Sequence, residues 1–447
     1  MGESETLTHR SVLKMAVPIM LAGLSTPLLG LVDIAVVGQI PGAESIGAVA
    51  VAALIFSFVF WAFGFLRMGT TGLTAQAFGA NRRAEIGASL GRALMLAWGT
   101  GLMLCVLGQP IKALALWIFD AAPLVETLVA DYFDIRIWSA PATLTHYALI
   151  GWFVGLGRMR TALALQLVLN LTNIFLDAWF VLVLKWGVTG VATGTLIAEW
   201  MAAGIGLVTA ARCMRAQKYF CSGADLLKPA AFRRVVQING DIMVRSLALI
   251  FVFAWFTQAG AKAGAGVLAA NAILLQFVSV AAYFLDGFAH TAETLVGRAI
   301  GARSHAMFSR AVQVTTLLAA YTAVLCGVVI YFGSFSFIAM MTIDPETRIL
   351  ASRFVIWAAL APVLGVWAYQ LDGLFIGATR SVEMRNAMLL STAGFVVAWW
   401  LLLPFGNHGL WAALMINYVL RAAALMAFLP RLLRDVRRYP TVSADSF

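Results

Sequence analysis

Five polar residues stand inside apolar stretches at spacings that would let them share one site. Asp33 lies in the first stretch and Thr195 in the sixth, while Asn170, Asn173 and Asp177 form one helical stripe at i, i+3 and i+7 in the fifth. An ionisable group at membrane depth costs about 2.5–3.5 kcal/mol on insertion scales, so each one needs a function or a partner. Burial beside a second carboxylate favours the protonated form of a carboxyl group. Asp33 and Asp177 are therefore suited to taking up and releasing a proton, and the same carboxylate oxygens would suit Na⁺.

The distances along the helices place the two carboxylates at similar depth. From Lys14 to Asp33 and from Arg160 to Asp177 the helical rise is roughly 25–29 Å. Both helices run outward from a basic anchor, so both carboxylates are expected in the outer half of the membrane. Thr195, on the returning sixth helix, reaches the same height. The alternative interpretation is that Asp33 and Asp177 are packing residues satisfied by the neighbouring amides.

Pro18, in the first helix, is a candidate hinge. A proline inside a helix removes one backbone hydrogen bond and permits a bend. Because Pro18 precedes Asp33 on the same helix, a bend there would move the carboxylate-bearing half. The alternative is a static kink.

The remaining candidates are predicted to line a cavity or an inner vestibule, or to balance charge. Glu199, one turn from Thr195, would extend the polar cluster. Asp286, Asp372 and Arg67 are predicted near the cytoplasmic side, lining a vestibule. Methionine and aromatic side chains can repack around varied ligands, and the candidates for such a cavity are Met20, Trp152, Phe153 and Met243. Asp241 and Arg245, at i and i+4, are expected to neutralise each other. His146 and His290 are interpreted as satisfied core residues.

The elements that position these residues are predicted to be membrane-spanning helices. Of the 447 residues 62% are hydrophobic and 12% charged, more apolar surface than a soluble fold can bury. The four cysteines lack CxxC or Cys/His spacing, so neither a disulfide scaffold nor a zinc site is expected, and no cofactor is predicted. The first apolar run is too long for a cleaved signal and is expected to be retained. The chain is predicted to be an all-α polytopic membrane protein.

Twelve transmembrane helices are predicted, in two pseudo-symmetric six-helix lobes around a central cleft. The spans cover residues 12–38, 46–78, 87–109, 124–157, 161–184, 188–211, 234–259, 264–297, 310–333, 347–377, 384–404 and 409–430. Segment 76–82 (QAFGANR) resembles 298–304 (RAIGARS), and two further pairs of segments follow in the same order. The predicted domains are an N-lobe (1–211), a cytoplasmic linker (212–233), a C-lobe (234–430) and a basic cytoplasmic tail (431–447).

The net charge of +10 is interpreted through its distribution, which predicts orientation and not nucleic-acid binding. Basic residues concentrate on one side of the predicted spans, and the other side holds only Lys112, Arg136, Lys185, Lys262, Arg348 and Arg353. The positive-inside rule then places both termini in the cytoplasm of a cell inner (plasma) membrane protein. The lipid bilayer and small amphiphilic substrates are the expected partners, and a complete two-lobed chain is expected to function as a monomer.

At motif level the sequence resembles the multidrug and toxic compound extrusion (MATE) family, DinF-type branch, over nearly its whole length. The matching segments are 32–38 (VDIAVVG), 67–76 (RMGTTGLTAQ), 173–177 (NIFLD), 270–274 (ANAIL), 286–289 (DGFA), 372–380 (DGLFIGATR) and 384–388 (MRNAM). The resemblance implies proton- or sodium-driven antiport of amphiphilic, often cationic compounds. It also implies a coupling site at Asp33, Asn173, Asp177 and Thr195, with Pro18 bending on protonation.

The chain departs from the sodium-coupled branch of that family, whose acidic pair in the second lobe has no clear counterpart here. This departure favours protons and leaves sodium possible at the first-lobe site. One alternative function is a lipid-linked oligosaccharide flippase of the same superfamily, which would often have fourteen spans and a cationic cavity. The other is a membrane-embedded lipid-modifying enzyme, which would need a clustered metal or phosphate site.

Overall fold

The computed structural model describes residues 7–39, 43–119 and 122–438, and the regular elements in these ranges are helices. They are α1 (His9–Val37), α2 (Ala43–Ala62), α3 (Phe65–Gly79), α4 (Arg83–Val106), α5 (Gly108–Phe119), α6 (Pro123–Arg136), α7 (Ala140–Gly155), α8 (Met159–Ala178), α9 (Gly187–Gln217), α10 (Gly223–Leu226), α11 (Pro229–Lys262), α12 (Ala265–Gly301), α13 (His305–Met341), α14 (Pro345–Gly377), α15 (Ser381–Leu401) and α16 (Gly406–Arg437). The prediction of an all-helical membrane protein is confirmed.

The twelve predicted spans coincide with these helices, but two of them are broken. The second span is α2 followed by α3, with a turn at Phe63 and Gly64 between them. The fourth is α6 followed by α7, joined by one 3₁₀ turn over Ile137–Ser139. Helices α5 and α10 were not expected from the sequence.

Nine helical segments among the described residues are long and apolar enough to cross a membrane, judged by length and composition. The three predicted spans outside this set are α1, the α6–α7 pair and α15. Four charged residues explain the weaker apolar character of α6, which carries Glu126, Asp131, Asp134 and Arg136.

The chain forms two compact units, each with its own core. The N unit comprises Leu21–Thr74 and Arg82–Val236, and the C unit comprises Met1–Met20, Ala75–Asn81 and Gln237–Phe447. Helices α1, α3 and α11 therefore each contribute residues to both units. In the C unit Phe256 and Trp411 meet edge to face at 5.0 Å between ring centroids.

Small residues let the helices of the N unit approach closely. A Cβ at Gly151 of α7 would overlap the backbone carbonyl of Arg67 on α3, and a Cβ at Gly101 of α4 would lie 2.6 Å from Pro141 Cα. Trp152, next to this contact, is completely buried and donates its indole N–H to the Ile86 carbonyl at 3.0 Å. The α3–α4–α7 packing therefore depends on glycine at two positions.

The segment predicted as a linker is largely structured. Residues 212–217 continue α9 and residues 229–233 begin α11. Between them, Arg92 of α4 donates to the carbonyls of Asp225 (2.6 Å) and Leu226 (3.2 Å), so α10 is attached to α4. Lys228 and Ser222 hold the pKa of the Asp225 carboxyl well below its usual range, which keeps the capping box of α10 intact into acidic solution.

Candidate coupling site

The polar stripe of α8 is buried inside the N unit. Asn170, Asn173 and Asp177 are at most 3% exposed, and Asp177 is fully buried. Asn173 Nδ2 donates to Asp177 Oδ2 at 3.1 Å and to Thr195 Oγ1 at 2.9 Å. Thr195 in turn donates to the Val191 carbonyl one turn back on α9, at 2.9 Å. The structure thus places Asn173, Asp177 and Thr195 in one hydrogen-bonded cluster.

Gly194 brings the backbone of α9 against this cluster. A Cβ at Gly194 would overlap Oδ1 of Asp177 and lie 3.1 Å from the backbone nitrogen of Asp177. The carboxylate therefore lies directly against a helix backbone and has no room for a larger neighbour at this position.

Asn170 links the stripe to α1. Its Nδ2 donates to Ser25 Oγ at 2.7 Å, and its Oδ1 accepts from Gln166 Nε2 at 3.1 Å. Asp33 follows Ser25 by about two turns of α1. The side chain of Asp33 lies outside the described part of the structure, so its predicted place in the cluster stays a prediction.

The oxygens of this cluster are hard ligands of the kind that protons and alkali cations both use. Asn173 Oδ1 is buried and has no hydrogen-bond partner among the described residues, which leaves one acceptor for an incoming ion. No group of three or more His, Cys, Asp or Glu side chains suited to a metal occurs in the described ranges. These oxygens are of the type that a proton or a monovalent cation would use.

Glu199 does not extend the cluster as expected. It forms a buried two-point ion pair with Arg136, at 2.6 and 2.9 Å, and accepts a further hydrogen bond from Thr143. Arg136 also donates to Ser139 and is only 7% exposed. Arg136 is therefore a buried charge that needs a partner, and Glu199 supplies it. The side of the membrane predicted for Arg136 stays a prediction.

Three of the predicted cavity residues pack in cores. Trp152 and Phe153 are fully buried and contact each other edge to face at 5.1 Å. Met20 packs against Gly287 of α12, where an added Cβ would lie 2.5 Å from Met20 Cγ. Met243 and Arg67 are partly buried. The predicted roles of Met20, Trp152, Phe153 and Met243 in a cavity, and of Arg67 in a vestibule, stay predictions.

The C unit holds a separate set of buried charges. Asp372 accepts from Arg245 at 2.6 Å and lies 2.9 Å from Arg421, whereas Asp241 pairs with Arg385 at 2.7 Å. The expected pair between Asp241 and Arg245 is therefore wrong, because tertiary partners on other helices lie closer to each charge than the i, i+4 neighbour.

Asp286 of α12 is partly exposed and acts electrostatically on Tyr369 and Tyr283. Its predicted place in an inner vestibule, like that of Asp372, stays a prediction.

Several residues of the site were not singled out from the sequence. Gln166, Ser25 and Gly194 all contact the stripe, and His146 on α7 lies 3.4 Å from Gln166 Oε1 through Nε2. Gln166 was detectable, because it extends the Asn170 stripe by one turn towards the start of α8. Gly194 and Ser25 carry no spacing signal, since their role depends on which helices meet.

Comparison with known proteins now adds independent information. The MatE family model matches residues 18–179 and 242–402, one segment in each half of the chain. The DNA damage-inducible protein F of Escherichia coli K12 is 39% identical over 425 residues, covering 94% of this chain and 92% of that protein. The chain belongs to the MatE family.

Two further similarities accompany this match. A probable multidrug resistance protein NorM of Rhizobium meliloti is 28% identical over 465 residues, covering 98% of this chain and 96% of that protein. A crystal structure described as MATE in the bent conformation has a TM-score of 0.85 at 16% identity, covering 96% of each chain. This structural similarity shows that the two chains have the same fold.

Family membership settles the class of function. MatE proteins are multidrug and toxic compound efflux transporters, so this chain is a multi-pass membrane transporter and not an enzyme. The alternative of a lipid-modifying enzyme is thereby excluded, and the resemblance noted in the sequence is confirmed.

Proposed function

We propose that this MatE transporter is a proton-coupled antiporter that exports amphiphilic, cationic compounds by alternating access across the cell inner membrane. The observation that carries the proposal is Asp177, a fully buried carboxylate that accepts a hydrogen bond from Asn173 and lies against Gly194, while Asn173 also donates to Thr195. A carboxylate in this environment strongly prefers a cationic partner or a proton. A bound cation or a bound proton is each sufficient to neutralise the carboxylate.

Competition at this carboxylate provides the coupling. A cationic substrate stabilises the ionised form, and a proton removes the charge that holds the substrate. A ligand shifts a conformational equilibrium only by its different affinity for the two states, and the ionised and protonated sites provide that difference. The name of the Rhizobium relative, a probable multidrug resistance protein, agrees with export of drugs.

The charges of the C unit support placing the coupling site in the N unit. Asp372 and Asp241 both have arginine partners within 3 Å. Each of these carboxylates is therefore already paired with an opposite charge. Asp177, in the N unit, accepts a hydrogen bond from the amide of Asn173.

Purified protein in liposomes tests this function. We expect a pH gradient, imposed without sodium, to drive accumulation of the lipophilic cation tetraphenylphosphonium. A sodium gradient at equal pH is expected to drive none. Accumulation with the sodium gradient alone would replace the proton with Na⁺ as the coupling ion, and transport of a lipid-linked oligosaccharide in place of the cation would favour the flippase.

Pro18 is proposed as the hinge of α1. It cannot donate to the Lys14 carbonyl, and it lies two residues before Met20, where α1 passes from the C unit to the N unit. The related protein crystallised in a bent conformation supports a bend in this fold. We expect Pro18→Ala to fold, because alanine is the better helix former, but to lose the pH-dependent bend.

Spin labels at Ala35 of α1 and Phe175 of α8, both exposed, measure this motion. In the otherwise wild-type protein the distance between the labels is expected to differ between acidic and alkaline pH. Pro18→Ala should show one distance at both, whereas Pro27→Ala, the matched change further along α1, should keep the shift. An equal shift in Pro18→Ala would disprove the hinge.

A further inference from the structure

A polar track runs along α8 beyond the coupling cluster. Gln166, Asn170, Asn173 and Asp177 lie at i, i+4, i+7 and i+11, so all four share one face of the helix. Gln166 donates to Asn170 at 3.1 Å, and Asn173 donates to Asp177 at 3.1 Å. The track spans about 16 Å of helix from the carboxylate towards the basic end of α8.

His146 stands at the lower end of this track. Its ring is 4% exposed, and Nε2 lies 3.4 Å from Gln166 Oε1. The second ring nitrogen, Nδ1, is buried and has no hydrogen-bond partner among the described residues. With Nε2–H directed at the amide oxygen, Nδ1 carries a free lone pair. A satisfied core histidine would use both nitrogens, so the interpretation of His146 as satisfied is not supported.

We propose that His146 carries the coupling proton between the Asp177 cluster and the cytoplasmic side of the N unit. This inference rests on the proposed proton coupling and goes beyond it by naming a second proton-binding group. Histidine is the side chain whose charge changes nearest to neutral pH, and it can accept at one nitrogen and release from the other.

The charges around His146 favour brief occupancy by the proton. On α9, Glu199 acts electrostatically on the ring, but Arg136 neutralises that carboxylate at 2.6 Å. The other ionisable groups of the helices packed against α7 are Arg67 on α3, Arg83, Glu85 and Arg92 on α4, Arg160 and Asp177 on α8, and Arg212 and Arg215 on α9. A buried imidazolium gains little here, so the residue suits transfer better than storage.

Every proton and charge in this transfer is accounted for. A protonated carboxyl of the cluster loses H⁺ to a water molecule and becomes a carboxylate. Because Nε2–H already faces Gln166, a water molecule then delivers H⁺ to the lone pair on Nδ1, which gives an imidazolium. The imidazolium then releases H⁺ to water at the basic end of the unit, which restores the neutral ring. No oxidant or further reactant is needed. Transfer over this length needs water or hydroxyl groups along the track, such as that of Ser25.

His146→Gln tests the proposal, because its amide keeps a donor for Gln166 and removes the titratable ring. Liposomes with tritiated tetraphenylphosphonium give two rates, accumulation driven by a pH gradient and exchange of internal for external cation at equal pH. Exchange needs no net proton transfer. We expect gradient-driven accumulation to fall about tenfold or more, the scale of a positioned acid–base group, while exchange stays near the wild-type rate.

His408→Gln is the matched control, because His408 in the C unit has a partner, Trp357 at 3.0 Å, and lies off the track. It should leave both rates unchanged. If His146→Gln and the smaller His146→Asn both lost accumulation and exchange equally, His146 would have a structural role and the proposal would be overturned. The proposal would also be overturned if neither variant lost gradient-driven accumulation. A wild-type protein that ignores the pH gradient would instead refute the proposed proton coupling itself.

Discussion

Asp33→Asn is expected to abolish transport driven by a pH gradient. The amide has nearly the shape of the carboxyl group but cannot take up or release a proton near neutral pH. Asp33 lies on α1 about two turns beyond Ser25, which receives a hydrogen bond from Asn170 of the buried stripe. Losing the titratable group on α1 should therefore remove coupling without removing the helix contact.

The measurement is accumulation of tetraphenylphosphonium in liposomes, with protein amount and thermal stability determined in parallel. Glu44→Gln, an equivalent change at an exposed carboxylate in the first turn of α2, should behave as wild type. Wild-type accumulation by the Asp33→Asn variant would remove Asp33 from the coupling site and leave Asp177 as the candidate proton carrier.

Gly194→Ala is expected to have the second-largest effect, through one methyl group. The added Cβ would overlap Asp177 Oδ1, and the neighbouring backbone nitrogen at 3.1 Å leaves little space for the carboxylate to move away. Either the carboxylate rotates and loses Asn173, or α9 shifts outward. Overpacking of this kind costs about 1–3 kcal/mol of stability, and a displaced coupling group costs about 100-fold in rate.

Gly204→Ala on the same helix is the control, because a Cβ there meets nothing within 4 Å. In a helix interior that change alone favours folding by up to about 1 kcal/mol. Thermal unfolding in detergent should move in opposite directions for the two variants, and only Gly194→Ala should lose gradient-driven transport. If both variants kept wild-type transport, close packing of α9 against the carboxylate would have no part in coupling.

Much of the fold was accessible from the sequence because its main signal is local. An apolar run of about twenty residues crosses the bilayer only as a helix, since every backbone group must be satisfied within the segment. The break between α2 and α3 and the short α5 were missed. They depend on one turn at Phe63 and Gly64 and on a helix too short to register as a span.

The same distinction between local and tertiary signals applies to the candidate site. The class of protein, the helices, and the stripe of Asn170, Asn173 and Asp177 follow from the chain alone, because helical periodicity converts spacing into a shared face. The pairing of Glu199 with Arg136 and of Asp372 with Arg245 depends on how the helices pack. A buried charge takes whichever opposite charge the packing of other helices brings within 3 Å, and that choice has no local period in the chain.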